Sequence, residues 1–209
     1  MKNKVLLFLN GEPPKTFPNL SDYSLIACTD GAFHYLKRYG FPMDQLDFIS
    51  GDFDSHSGSD DELYKEKFIH TPDQDKTDFC KSLEIIADKG FTNIHVLGAS
   101  GGEQDHFLGN LSVAYSFKDR LQIRFFDAHS EYFFIPKNFV LNNVNQKMIS
   151  LYPFPIAENV STSGLNWSLK NESLGITTKI GTRNFAVADE VSIFYEKGDI
   201  LVFVGAKYL

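Results

Sequence analysis

Basic residues are in deficit in this 209-residue chain, with 20 Lys and Arg against 27 Asp and Glu and a formal charge of −7. Nucleic acids and anionic membrane surfaces are held by clustered Lys and Arg, so the balance argues against both as partners. Cysteine is scarce: Cys28 lies in an apolar run and Cys80 at the start of a helical pattern. Both are expected as buried thiols rather than as a disulfide, and no Cys/His arrangement has zinc spacing. No apolar run approaches the roughly 20 residues that span a bilayer, which makes a cytoplasmic address the expectation. The opening Met1-Lys2-Asn3-Lys4 is basic, but the apolar run after it is short for a signal segment and ends at Gly11-Glu12-Pro13-Pro14. Also missing are a P-loop, a protein-kinase catalytic loop, a complete Gly-x-Gly-x-x-Gly fingerprint and a Gly-x-Ser-x-Gly elbow. Any phosphate site must therefore rely mainly on metals held by carboxylates.

What is present is an ordinary globular composition, 43% apolar and 22% charged, with an aromatic filling of twenty Phe. The length fits one large domain or two small ones. Up to about residue 128 the chain follows a βα rhythm. Val5–Asn10, Leu25–Thr29, Phe48-Ile49, Ile94–Leu97 and Ile123–Phe126 read as strands. Helical patterns cover Phe33–Tyr39, stopped by Gly40, then Phe79–Ala87, capped by Thr77 or Asp75 and ended by Gly90, and then Phe107–Tyr115. From about Glu131 the pattern changes to β runs at Tyr132–Ile135, Phe139–Leu141, Met148–Tyr152, Leu165–Leu169, Val191–Tyr195 and Ile200–Val204. Turn residues separate them, including Ser161-Thr162-Ser163-Gly164. The expectation is an N-terminal α/β domain over 1–130, Rossmann-like with an open, mostly parallel sheet and flanking helices, followed by a smaller all-β sandwich domain over 131–209.

Acidic residues gather where strands give way to helices. Asp52 and Asp54 in Ser50-Gly51-Asp52-Phe53-Asp54-Ser55 are two apart and project to one side of an extended backbone, spaced to share a cation. Alone, such a pair reads as a polar turn; further acidic segments shift the reading toward metal. Asp78 opens a helix, where a carboxylate serves the helix dipole or binds a metal. Gln74 and Thr77 supply neutral hydrogen-bonding groups. Ser100-Gly101-Gly102 lies between a strand and a helix, where amides and the positive helix end favour phosphate. Asp105 and His106 follow, as a cap pair with His106 a satisfied, partly buried histidine, or with Asp105 holding a second metal or accepting a hydroxyl proton and His106 donating to a phosphate, the aspartate being the stronger candidate of the two. Asp30-Gly31-Ala32 occupies a fourth junction of the same kind. In an open α/β sheet such junctions converge on one crevice beyond the strand ends.

The order Asp30-Gly31-Ala32, Gly51-Asp52-Phe53-Asp54-Ser55, Pro72-Asp73-Gln74-Asp75-Lys76-Thr77-Asp78-Phe79 and Gly98-Ala99-Ser100-Gly101-Gly102-x-x-Asp105-His106 resembles the thiamine pyrophosphokinase family. The likeness continues through Ser163–Leu169 and Gly181-Thr182-Arg183-Asn184. It implies transfer of the β,γ-diphosphate of ATP to the thiamine hydroxyl, giving thiamine diphosphate and AMP, in a homodimer whose sites combine two subunits. By motif position, Asp52, Asp54 and Asp78 would hold Mg2+ on the polyphosphate and Asp105 would assist at the reacting hydroxyl or a metal. Asp30, Gly31, Thr77, Ser100, Gly101, Gly102 and His106 would face the nucleotide and its phosphates. Gln74, Trp167, Thr182, Arg183 and Asn184 would face thiamine, with a core position the equal alternative for Trp167. There are two departures from the family pattern: Glu103 and Gln104 stand where a basic residue is common, and Arg183 stands where a serine usually precedes the asparagine. Competing readings are a metal-dependent nucleotide phosphohydrolase and a non-catalytic nucleotide or thiamine sensor.

Overall fold

A computed structural model of the chain describes residues 3–52 and 63–207. The chain divides into two compact units, Met1–Ala128 and His129–Leu209.

The first unit holds strands β1 (Lys4–Phe8), β2 (Leu25–Thr29), β3 (Phe48–Gly51), β4 (Phe68–His70), β5 (Asn93–Leu97) and β6 (Gln122–Phe126). They form a sheet of order β4-β3-β2-β1-β5-β6 in which every pairing is parallel. β2 is buried along its whole length and β1 at every position after Lys4, as continuous apolar runs covered on both faces should be. β5 instead alternates, burying Ile94 and Val96 and leaving His95 and Leu97 half-buried. The chain builds outward from β1 to β4, then returns to place β5 on the other side of β1. That reversal opens a crevice beyond the C-terminal ends of β1 and β5.

Among the described residues, three helices with defined bounds flank this sheet: α1 (Asp30–Arg38), α2 (Asp78–Asp88) and α3 (Gln104–Phe117). The apolar stripe of α2 buries Phe79, Leu83 and Ile86, and Thr77 caps its start by accepting from the Cys80 amide at 3.2 Å. Both α1 and α2 end on a left-handed glycine, Gly40 (φ +71°) and Gly90 (φ +84°). In each, the next amide reaches back five residues, Phe41 N–H to Leu36 O and Phe91 N–H to Ile86 O. Part of the Phe content is an edge-to-face cluster of Phe8, Phe17 and Phe41, with centroids 5.1–5.9 Å apart. Strand β4 carries no apolar pattern long enough to have been anticipated. Cys80 is half-buried, where full burial was expected; both cysteines are free thiols.

The second unit contains β7 (Ser130–Ile135), β8 (Asn138–Asn142), β9 (Lys147–Ser163), β10 (Glu172–Gly175), β11 (Gly181–Phe185), β12 (Glu190–Phe194) and β13 (Lys197–Lys207). Its order is β7-β13-β9-β12-β8, with β10 and β11 also pairing β9, and all pairings are antiparallel. β9 is the spine: its first part pairs β13, and Ser161–Ser163 pair β12. The core gathers inward-facing residues such as Ile149, Leu151, Val160, Leu174, Val191 and Val202.

Three expectations for this unit fail. Leu165–Leu169 is not a strand; only Leu165 makes an isolated bridge, to Ala186. Ser161-Thr162-Ser163, read as punctuation, belongs to β9. β9 also runs through Pro153, in register with Ile200, and past Pro155, whose carbonyl accepts from Ile176 N–H, so local residue type is overridden by pairing. Among the described residues no helix is long and apolar enough to cross a membrane.

Candidate active site

A cavity of about 360 Å³ lies at the crevice, walled by the C-terminal ends of β1, β2 and β5 and the first turns of all three helices. Its construction depends on backbones that touch. Leu9 N–H donates to Leu97 O at 2.9 Å and Gly11 N–H to Gly98 O at 2.7 Å, which carries the β1–β5 ladder past the strands. A Cβ on Gly98 (φ +71°) would lie 2.2 Å from Leu9 O, so only glycine fits. Beyond it, Ser100 O accepts from Glu12 N–H at 2.8 Å, and Gly101 and Gly102 both take left-handed φ before α3 begins.

Of the residues singled out from sequence, Asp30, Gly31, Thr77, Asp78, Gly101, Asp105 and His106 line this one cavity, drawn from three separate stretches. Asp30 is buried as the first residue of α1, and its Oδ1 accepts from Gly31 N–H at 2.6 Å. Its carboxylate lies directly against Gly51: a Cβ there would fall 2.3 Å from Asp30 Cγ. Asp52 follows immediately, half-buried, and its Oδ2 accepts from Gln74 Nε2 at 3.2 Å. Asp54 lies outside the described residues, as do Phe53 and Ser55. Asp78 Oδ1 pairs with Lys81 Nζ at 2.7 Å. Beneath it, Ser82 Oγ donates to Asp78 O at 2.7 Å and shares a second 2.7 Å bond with Ser50 Oγ, locking β3 to α2. Asp105 Oδ1 accepts from His106 N–H at 3.0 Å. The His106 side chain is 75% exposed and stands 3.6 Å from Glu103 Oε2, which corrects the alternative that placed it in a partly buried position. Ser100 and Gly102 belong to the same loop without lining the cavity; Ser100 Oγ reaches toward Asp127 Oδ2 at 3.4 Å.

Three groups went unremarked in the sequence. Thr29, at the end of β2, lines the cavity; its buried Oγ1 has no hydrogen-bond partner among the described residues. It occupies the N-cap position of α1 without capping. Asn10, the β1 counterpart of Asp30 in topology, packs its amide 2.6–2.9 Å from where a Gly31 Cβ would sit. Asn110 holds Ala99 O from Nδ2 at 2.9 Å. The rule that strand ends at the sheet reversal face ligands would have found Asn10 and Thr29; nothing in the sequence marked Asn110.

Among the described residues no three His, Cys, Asp or Glu side chains form a metal cage. The donors nonetheless suit a hard cation of the Mg2+ class, which is commonly bound by one or two carboxylates with substrate phosphates and water completing its shell. Asp52 and Asp78 are hard oxygen donors of that kind. In β2, two residues before Asp30, Cys28 is inert: burial, then the Asp30 charge, pushes its thiol well above the usual range.

In the second unit, Asn184 Oδ1 accepts from Trp167 N–H at 3.2 Å and its Nδ2 donates to Trp167 O at 2.7 Å, clamping that peptide on both sides. Trp167 is 61% exposed, its ring edge-on to Phe185 at 5.5 Å, so the core alternative for it fails. Arg183 takes a left-handed φ of +58° at a register shift in β11, with its N–H on Ser150 Oγ at 2.9 Å; Thr182 is exposed beside it.

Residues 18–125 match the family described as thiamin pyrophosphokinase, catalytic domain, and residues 135–200 match thiamin pyrophosphokinase, vitamin B1 binding domain. The chain is 31% identical to thiamin pyrophosphokinase 1 of Caenorhabditis elegans, with 95% of this chain and 87% of that protein covered. It is 30% identical to thiamine pyrophosphokinase 1 of rice, Oryza sativa subsp. japonica, covering 90% and 82%. Its fold is similar to those of the Enterococcus faecalis thiamin pyrophosphokinase family protein (TM-score 0.84, 22% identity, 98% and 100% covered) and yeast thiamin pyrophosphokinase (0.84, 20%, 98% and 86%).

Proposed function

The chain belongs to the thiamine pyrophosphokinase family, and on that premise we propose that it transfers the β,γ-diphosphate of ATP to the hydroxyethyl oxygen of thiamine. The observation that carries this reading is the single cavity in which Asp30, Asp78, Asp105 and the Gly101 backbone meet at the sheet reversal. The alcohol oxygen forms a bond to the β-phosphorus, and the bond from that phosphorus to the α–β bridging oxygen breaks. The electron pair leaves with AMP, and the hydroxyl proton goes to Asp105 or to solvent. Little covalent chemistry falls to the protein, so its work is positioning and charge neutralisation.

The left-handed Gly101 and Gly102 and the start of α3 offer amides to phosphate oxygens, with Ser100 and His106 beside them. The unpartnered Thr29 hydroxyl and Thr77 present further groups to the nucleotide. Asp52 and Asp78, with Asp54, would hold Mg2+, which when bound supplies neutralising charge to the polyphosphate. Asp30 is better suited to fixing the strand ends, since it is buried against Gly51. On the acceptor side, Trp167, held by Asn184, offers a ring to the thiamine aromatic system, while Gln74, Thr182 and Arg183 provide polar contacts.

We read the first unit, over 1–130, as a Rossmann-like nucleotide and metal domain, supported by the parallel order and the site at its reversal. The second, over 131–209, is read as a small β-sandwich for thiamine binding and dimerisation, supported by the way β9 serves two sets of partners. A homodimer with shared sites and a cytoplasmic address complete the proposal.

The decisive experiment incubates the protein with ATP and Mg2+, with and without thiamine, and resolves the nucleotides by chromatography. AMP that forms only with thiamine, and is lost on chelation, is expected. Nucleotide breakdown without thiamine would make it a hydrolase, and binding without product a sensor. Asp52→Asn should keep the fold and lower turnover on the order of 10² or more, as when a preorganised electrostatic group is removed.

A further inference from the structure

Lysine is almost never fully buried unless its charge is matched. Lys81 is 6% exposed, beside the wholly buried Ser82, on a helix that otherwise buries Phe79, Leu83 and Ile86. Its ammonium has three N–H donors and three acceptors: Asp78 Oδ1 at 2.7 Å, Thr71 O at 2.8 Å and Asp73 O at 3.2 Å. These come from two places, the first turn of α2 and the segment that leaves β4. Thr71 N–H is itself tied to Gly51 O at 2.9 Å, and Gln74, next to Asp73, donates to Asp52. One buried cation thus joins α2, the exit of β4 and, through Gln74, the acidic end of β3.

We propose that Lys81 is a positioning residue for diphosphate transfer, fixing Asp78 and the Thr71–Gln74 segment so that the Asp52 and Asp78 carboxylates stand ready for the polyphosphate. This rests on the reading of the site given above. Lys81 holds Asp78 by Oδ1 and leaves Oδ2 the better placed oxygen for a ligand. It also replaces the helical and strand amides that the irregular 71–77 segment lacks. An apolar side chain would fill the space, but would leave three acceptors without a donor.

The test uses Lys81→Met and Lys81→Arg in the whole chain. Hydrogen exchange on the ligand-free protein should show amides of residues 71–77 opening at least about tenfold faster in Lys81→Met, with α1 and α3 unchanged. The kcat of thiamine-dependent AMP formation should fall on the order of 10²-fold while the KM for thiamine moves little, the signature of misplaced reacting groups. Lys81→Arg keeps the charge but its planar fork cannot aim three donors as an ammonium does, so its kcat should fall by about tenfold. A purely structural lysine would lower the melting temperature and leave kcat unchanged below it; that result in either variant overturns the proposal. Should Lys81→Met fail to fold, the kcat of Lys81→Arg decides. Wild-type protein that makes no AMP refutes the transferase reading, while exchange confined to 71–77 still decides the role of Lys81.

Discussion

Gly51→Ala probes how tightly the acidic strand ends are fitted together. Gly51 has no left-handed backbone, so alanine meets no conformational penalty there; the obstacle is Asp30. The new Cβ would stand 2.3 Å from Asp30 Cγ, 2.4 Å from Oδ2 and 2.6 Å from Cβ. Carbon–carbon contact needs ~3.5 Å, so the carboxyl must retreat by about 1 Å. It is poorly placed to do so, being buried and bonded at 2.6 Å to Gly31 N–H. Overpacking of this kind costs about 1–3 kcal/mol, and a chain of this size loses roughly 2–4 °C of melting temperature for each kcal/mol. Because the displaced groups sit at the cavity, kcat should drop by up to ~10² while the folded fraction at assay temperature stays complete. Calorimetry and steady-state AMP release measure the two effects. The double variant Asp30→Gly/Gly51→Ala removes all three contacts, the 2.6 Å one to Cβ included, so a stability cycle should give a coupling of at least ~1 kcal/mol. A Gly51→Ala protein with wild-type melting and turnover would refute the packing argument.

Two further outcomes come from other parts of the first unit. Thr29→Val keeps the shape at the end of β2 and removes a buried hydroxyl that has no partner among the described residues, so the ligand-free protein should gain up to ~1 kcal/mol; ADP or ATP affinity by calorimetry should fall, and equal affinity would mean that the hydroxyl faces no ligand. His95 is held neutral, its pKa lowered to about 4 by burial and then by Lys4 and Arg124, and its Nδ1 faces the Tyr23 hydroxyl at 3.1 Å. The unfolded chain takes that proton first, near pH 6.5, so stability is complete above that value and falls as the pH drops toward about 4. Melting scans across that window should flatten in His95→Gln; an unchanged acid slope would assign it to other groups.

The parts of the fold that were legible in the sequence are those where one physical rule acts alone. Leu25–Thr29 is a fully buried strand and reads as an unbroken apolar run, and Gly40 and Gly90 stop their helices because the left-handed cap has no better occupant. The helix beginning at Asp30 was read three residues late, because it opens on Asp30-Gly31, which line the cavity, before Ala32 joins the core. In the second unit neighbouring strands overrule local signals. β9 continues through Pro153 and through a Ser-Thr-Ser stretch because β13, β10, β11 and β12 supply partners along it, which no window of residues reveals. The acidic junctions were visible as a pattern and their meeting followed from topology. The group that fixes them was not, since a lysine one turn into a helix usually points to solvent.

The charge balance of the cavity leads to one more step. Asp30, Asp78, Glu103 and Asp105 line it, and the buried cation beside them, Lys81, is already bonded to three acceptors. A polyphosphate entering such a wall meets charges of its own sign at short range, where repulsion is only partly screened. Backbone amides at Gly101 and Gly102 and a neutral hydroxyl at Thr29 orient such a ligand but bring no whole charge. On the transferase reading, then, affinity for ATP alone must be poor and must rise steeply when a divalent cation enters with it, and the replacement of a basic residue by Glu103 makes that dependence stronger. Titrating ATP into the protein with and without Mg2+ checks this directly: equal affinity in both would mean that a cationic side chain outside this wall binds the phosphates, and Arg183→Ala would be the first variant to examine.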